Sequence, residues 1–134
     1  FTVGLLGNGA AARAIGSVEV VFQVPADRAI YSFQNKHDYD GVVDYEPIAP
    51  PDLRARVEAL AVAAYRVLEC RDCARADIRL DADGEPSFME INPLPGMHPH
   101  HSDLPMIATQ EGMRFEELIG QIVASALERV HGAA

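Results

Sequence analysis

Arg75, Asp77, Glu90 and Asn92 are the residues of this sequence best suited to act together. Arg75, Asp77 and Arg79 alternate with Ala76, Ile78 and Leu80. That period of two marks a strand with one polar and one apolar face. Asp81-Ala82-Asp83-Gly84 is a turn signal, and Pro86 suits the irregular start of a return strand. On that return strand Phe88, Glu90 and Asn92 are expected on one face, with Met89 and Ile91 on the other. A register that sets Asp77 opposite Glu90 also sets Arg75 opposite Asn92. Like charges placed opposite each other repel, so such a hairpin is suited to a cation. Oxygen-only ligands favour Mg²⁺ over zinc or copper. The plainer reading is a wet, solvated hairpin face. The run Asn92-Pro93-Leu94-Pro95-Gly96 shifts the balance, because it leaves the strand abruptly for the kind of loop that often carries active-site residues.

Other candidates are weaker. Arg75 either pairs with Glu90 or faces phosphate or a developing oxyanion, since its charge is permanent and bidentate. Lys36, set among Tyr31, Phe33 and Tyr39, is a point charge for phosphate or an ordinary surface lysine. His98, His100 and His101 lie beside Asp103 and raise zinc as an idea. Pro99 and the lack of cysteines on that loop weaken it. Gly96 supplies a turn unless its N–H faces the chemistry. Ser102 reads as a polar anchor rather than a nucleophile, with no G-x-S-x-G elbow around it. Cys70 and Cys73 form a C-x-x-C that ends a helix and leads into a strand, the reverse of a thioredoxin-type motif. Reduced, partly buried thiols are expected.

These residues need a scaffold. Thr2 to Leu6 reads as a strand, Gly7-Asn8-Gly9 as a turn, and Ser17 to Val24 as a second strand rich in β-branched residues. Ala10 to Gly16 is a loop or a helical turn. A short strand is expected at Ile30 to Phe33, then an irregular stretch through Pro47, Pro50 and Pro51. Asp52 is a candidate cap for a helix from Leu53 to about Glu69, with Leu53, Val57, Leu60, Ala61, Ala64, Val67 and Leu68 as its apolar stripe. After the hairpin come a proline-rich loop from Pro93 to Pro105, a short helix from Met106 to Glu111, and a final helix from Arg114 or Phe115 to about Val130. The apolar residues of that last helix recur from Phe115 to Leu127. The expected class is α+β, an antiparallel sheet with flanking helices.

Composition bounds the function. The 134 residues allow one domain at most, and nearly half are apolar, so a packed core is expected. Eleven Lys and Arg against twenty Asp and Glu give a net charge of −9, which argues against non-specific nucleic-acid binding. No window has the roughly 18 apolar residues of a membrane span, and no signal peptide is visible. Cytoplasm is the expected compartment. The chain opens at Phe1 in what already reads as mid-strand, so a fragment of a larger fold is expected.

From Ala74-Arg75-Ala76-Asp77 through Phe88-Met89-Glu90-Ile91-Asn92, Pro95-Gly96-Met97, Ser102-Asp103-Leu104-Pro105 and Gly112-Met113-x-Phe115, the chain resembles the ATP-grasp superfamily, and within it the D-alanine–D-alanine ligases. Phe1-Thr2-Val3 through Leu6-Gly7 resembles the E-F-T-V-x-x-L-G strand of that family without its leading Glu. Tyr31 to Lys36 resembles the segment ending in its phosphate-binding lysine. The resemblance implies an incomplete ATP-grasp fold. Residues 1–134 would be the C-terminal portion, without the N-terminal substrate domain and the lid. It implies that Asp77, Glu90 and Asn92 hold two Mg²⁺ ions (Mn²⁺ being an alternative) bridging the phosphates of ATP. Met89 would pack on adenine, with Lys36 on phosphate and Glu90 also on the nucleotide side. Arg75 and the Gly96 N–H would stabilise a tetrahedral intermediate, and Ser102 would hold the carboxylate of the second D-alanine. The implied reaction forms D-alanyl-D-alanine through an acyl phosphate, for peptidoglycan synthesis, in a homodimeric enzyme. The isolated fragment is expected to make no dipeptide. The loop departs from the usual P-G-M-T-x-x-S by about one residue, and Asn92-Pro93-Leu94 replaces Asn-Thr-Leu. A different amino acid or small acid as substrate therefore stays open, as does a non-enzymatic metal-binding remnant.

Overall fold

The computed structural model describes residues 1–22 and 43–132. Five strands form one antiparallel sheet in the order β3-β2-β1-β4-β5, where β1 is Thr2–Leu6, β2 Arg13–Phe22, β3 Val43–Pro47, β4 Cys73–Leu80 and β5 Pro86–Asn92. Among the described residues three α-helices accompany it: α1 at Pro51–Val67, α2 at Asp103–Gln110 and α3 at Phe115–His131. The expected α+β class with an antiparallel sheet and flanking helices is what the chain adopts.

The period of two along β4 divides the sheet into two faces. Ala74, Ala76 and Ile78 join Val3 and Leu5 of β1 and Val57, Ala61 and Tyr65 of α1 in one apolar core. Tyr65 is fully buried, and its hydroxyl donates to the Gly7 carbonyl at 2.8 Å. A second, smaller core on the other face joins Leu6 and Ile15 to Leu104 and Ala108 of α2 and Leu118 of α3. Gly4 and Gly16, paired across β1 and β2, let α2 approach the sheet. A Cβ at Gly4 would lie 2.9 Å from Leu104, and one at Gly16 would lie 2.9 Å from Ile107. Arg75 is the β4 partner of Gly4, so α2 is seated in the same transverse row as that arginine.

Several elements differ from the sequence expectation. β2 begins at Arg13, after a single 3-10 turn at Gly9–Ala11, so the segment expected as a loop or a helical turn starts as a helical turn and continues as strand. Ile15 is the extra residue where the β1–β2 register shifts. Val43–Pro47, expected to be irregular, is the edge strand β3, and its proline is the last residue of the strand, where no central ladder is interrupted. α1 starts at Pro51 with Pro50 as its cap. Proline at the first helical position loses only an N–H that has no helical partner there. Asp52 therefore lies inside the first turn, where it complements the helix dipole, instead of capping. α2 starts at Asp103, ahead of the expected Met106, because Pro105 falls in the first turn, where proline is tolerated. Val67 and Leu68, expected in the α1 stripe, are exposed, and of the α3 stripe only Leu118 is fully buried. The expected strand at Ile30 to Phe33 and the end of the expected strand at Val24 lie outside the described residues.

Candidate active site on the bulged hairpin

The β4–β5 register sets Arg75 opposite Asn92 and Asp77 opposite Glu90, the register on which the convergence of these four residues was conditional. One step further, Ile78 faces Phe88, so Met89 is an extra residue on β5. A bulge of this kind sets two residues against one on the partner strand and bends the bulged strand. The expected facing of β5 is corrected here. Met89 accompanies Glu90 opposite Asp77, and Phe88 moves to the side of Ile78. Sequence alternation alone cannot reveal a bulge, because one inserted residue reverses the parity of every residue beyond it.

Arg75 is the hub of the polar face. Its Nη2 donates to Asp77 Oδ2 at 2.8 Å and to Glu90 Oε1 at 3.0 Å, and its Nη1 donates to Asp103 Oδ2 at 2.7 Å. The other oxygen of Asp103 accepts from the Tyr45 hydroxyl at 2.6 Å. Burial works against the charge on Arg75, but the neighbouring carboxylates more than offset it and hold its pKa above the ordinary value. Burial pushes the Asp77 carboxyl up, and Glu90 and Asp103 add to the rise that Arg75 opposes. Glu90 is largely exposed, so one of these carboxylates stands open to solvent at the end of the sheet.

The loop after β5 brings two further candidates into contact. Asn92 Oδ1 accepts from the Leu94 N–H at 3.0 Å, which turns the chain out of the strand. Amide oxygens have two lone pairs, so one remains for another partner. A Cβ at Gly96 would lie 2.6 Å from Ser102 Oγ. A side chain there would displace the Ser102 hydroxyl, which accepts from the His98 N–H at 2.9 Å. Ser102 is also the residue that immediately precedes α2, so the loop is tied to a helix with four buried residues, Leu104, Pro105, Ile107 and Ala108. His98 packs its ring near those of His100 and His101, with centroids 6.2 Å and 4.6 Å away. Among the described residues no group of three His, Cys, Asp or Glu side chains is arranged to hold a metal by itself. Cys70 and Cys73 are free thiols, both pushed up by burial.

Arg75, Asp77, Glu90 and Asn92 are thus together at one end of the hairpin, with Met89 beside them, and Gly96 and Ser102 meet in the following loop. Lys36 lies outside the described residues. Sequence reasoning missed Asp103 and Tyr45 as partners of this cluster. Asp103 was visible as a neighbour of the histidines and within the Ser102–Pro105 run, without a role of its own, and Tyr45 carried no signal, because 58 positions separate it from Asp103.

The sequence profile of the family described as D-ala D-ala ligase C-terminus matches residues 1–124. The chain belongs to that family. It is 42% identical over 134 residues to the D-alanine–D-alanine ligase of Cupriavidus pinatubonensis, a match that spans 97% of this chain and 38% of the relative. It is 41% identical to the corresponding ligase of Bordetella petrii, over 99% of this chain and 40% of the relative. The chain therefore spans about two-fifths of the length of the curated relatives it matches. Among solved structures, the fold superposes on the D-alanine–D-alanine ligase of Coxiella burnetii with a TM-score of 0.73 at 18% identity, covering 98% of this chain and 32% of that one. It superposes on the Bacillus anthracis ligase complexed with ATP with a TM-score of 0.68 at 23% identity, covering 99% and 38%. These matches establish the ATP-grasp ligase fold of the C-terminal portion. Among the described residues no helix is long and apolar enough to cross a membrane.

Proposed function

We propose that this chain is the C-terminal portion of the catalytic domain of an ATP-dependent carboxylate–amine ligase that joins two D-alanines. The observation that carries the reading is the bulged hairpin of a D-alanine–D-alanine ligase family chain, which gathers Arg75, Asp77, Glu90 and Asn92 at one end. The fold it shares with a ligase solved with ATP supports the choice of nucleotide.

The donor set fits Mg²⁺. Asp77, Glu90 and Asn92 offer only hard oxygens, and burial together with neighbouring carboxylates already strains the ionisation of Asp77. Mg²⁺ is ordinarily held by one or two carboxylates plus phosphate oxygens instead of a closed protein cage. That fits a face with no self-sufficient metal cluster among the described residues. When bound, the metal supplies charge neutralisation between these carboxylates and the nucleotide phosphates.

The remaining roles belong to the chain. Met89, brought beside Glu90 by the bulge and largely exposed, offers a soft apolar surface for adenine. In the first step the carboxylate of one D-alanine takes the terminal phosphoryl group of ATP, and ADP leaves. In the second, the amine of the other D-alanine attacks the acyl carbon, loses a proton, and phosphate departs with its bonding electrons. Arg75 stays charged through both steps and donates to the oxygen on which charge develops, with the Gly96 N–H as a second donor. Ser102 anchors the carboxylate of the acceptor through its hydroxyl. Lys36, outside the described residues, contacts phosphate. The dipeptide supplies cell-wall peptidoglycan synthesis in the cytoplasm, and the enzyme is a homodimer.

A second reading keeps the same nucleotide chemistry with a different acceptor. The three histidines favour it, since their rings cluster on the loop that carries the acceptor anchor, and the His98 N–H donates to that anchor. One screen tests both. The full-length protein is supplied with ATP, Mg²⁺ and, separately, D-alanine, D-lactate, D-serine and L-alanine, each of the last three also together with D-alanine, and phosphate release and the product formed are followed. Release with D-alanine alone and none with L-alanine alone is expected. A product formed only with another acceptor selects the second reading, and no release with any of them refutes both.

A further inference from the structure

Resting on that functional reading, we infer that Asp103 is a positioning residue for Arg75, and that Tyr45 in turn holds Asp103. Arg75 spans two sets of partners. Nη2 reaches Asp77 and Glu90 on the hairpin, and Nη1 reaches Asp103 on α2. The hairpin carboxylates are the groups assigned to metal and nucleotide, so their hold on Arg75 changes whenever those ligands bind or leave. Asp103 is not one of them. It is the first residue of α2, a helix fixed by fully buried Leu104 and Ala108 and seated on the Gly4–Gly16 pair. Its second oxygen is occupied by the Tyr45 hydroxyl from β3, on the far side of the sheet order. A guanidinium is planar, so fixing Nη1 from a rigid helix fixes the direction of the other nitrogens. Arg75 then keeps its aim through the reaction cycle while Asp77 and Glu90 exchange partners. Placing a donor for a developing charge without reorganisation at the moment of reaction is the condition under which it is most effective.

The experiment is steady-state kinetics of the full-length protein carrying Asp103→Leu, Asp103→Asn, Tyr45→Phe and the Tyr45→Phe/Asp103→Leu pair, with thermal melts to follow the fold. Asp103→Leu is expected to lower kcat by about 10- to 100-fold, the scale of a small misplacement at a reacting group, with KM for ATP unchanged. Asp103→Asn retains most of kcat. Its carbonyl still accepts from Arg75, and its amide donates to the Tyr45 oxygen, which can accept as well as donate. Tyr45→Phe gives a smaller loss, and none beyond that of Asp103→Leu when the two are combined, because it acts through Asp103. Native kcat in both Asp103→Leu and Tyr45→Phe overturns the inference. So does an Asp103→Asn loss equal to that of Asp103→Leu in a folded protein, which would make the charge and not the placement the active feature. Should Asp103→Leu fail to fold, a loss in Tyr45→Phe with near-native Asp103→Asn sustains the inference, and native kcat in Tyr45→Phe overturns it. Arg75→Ala separates this from the functional reading. If it abolishes turnover while the other variants are silent, only the positioning role falls; if it too is silent, both fall.

Discussion

Asp72 lies just before β4 and Asp77 within it, and each meets an arginine within hydrogen-bond distance. Their surroundings differ in sign. Asp72 takes both Nε and Nη2 of Arg129, at 3.2 and 2.7 Å, and the Asn8 amide at 2.9 Å. The Asn8 amide also reaches the Ser125 carbonyl, so the group pins α3 against the β1 turn. The Arg129 hydrogen bonds, helped by Asn8, hold the Asp72 carboxyl below its ordinary value. Asp77 shares its arginine with Glu90 and Asp103, and its carboxyl is raised. One aspartate is surrounded by donors that favour its charge. The other is partly buried among competing charges, an arrangement that opposes folding and suits a ligand that supplies positive charge. Perturbation by burial beside like charges marks a functional site more often than perturbation by a single good ion pair.

The comparison can be broken at its strongest point first. In the full-length enzyme Glu90→Gln is expected to lower turnover by about 100-fold or more, the scale of losing a preorganised electrostatic contact. Its melting temperature should hardly move, since Glu90 is largely exposed. Near-native kinetics would remove Glu90 from the proposed metal site. On the apolar side of the same strand, Ile78→Ala is expected to cost about 2–5 kcal/mol in denaturant unfolding. Ile78 is fully buried. A cost under ~1 kcal/mol would mean that the face collapses to fill the space.

The two aspartates themselves give opposite pH profiles. A depressed carboxyl stabilises the fold above its ordinary pKa and loses that contribution as pH falls through the folded value. Asp72→Asn should therefore lower the melting temperature at neutral pH, with the difference closing in acid. A raised carboxyl opposes folding once pH exceeds the folded value, and that penalty is gone below the ordinary value of about 4. Asp77→Asn should raise the melting temperature at neutral pH, with the difference again closing in acid, while turnover is lost. Equal signs for the two substitutions at pH 7 would erase the contrast. The smallest effect is expected at Tyr65→Phe, which removes the hydroxyl donated to Gly7 and should cost about 1 kcal/mol with native kinetics.

Much of this site was readable from side-chain chemistry and spacing. The alternation from Arg75 to Leu80, the turn at Asp81 to Gly84 and the spacing of Glu90 and Asn92 were enough to expect a hairpin and to tie the pair Arg75–Asn92 to the pair Asp77–Glu90, both of which form. Strand β1, helix α3 and most of α1 follow from local periodicity in the same way. These features depend on residues near one another in the chain, where steric period and turn geometry act directly.

Tertiary structure decided the rest. The bulge that carries Met89 next to Glu90 arises from pairing between strands, and residue types do not announce it. β3 exists because β2 has a free edge on which residues 43–47 can pair, which overrides a proline that argued for irregular backbone. Which apolar residues of α1 and α3 are buried depends on what the sheet presents to them, so Tyr65 is sealed while Val67 and Leu127 face outward. Asp103 reaches Arg75, and Tyr45 reaches Asp103, because Gly4 and Gly16 seat α2 close to the sheet. The sequence by itself determined which groups carry charge and how they alternate along each strand. Packing between elements far apart in the chain determined which of those charges meet, because that depends on distances no local pattern encodes.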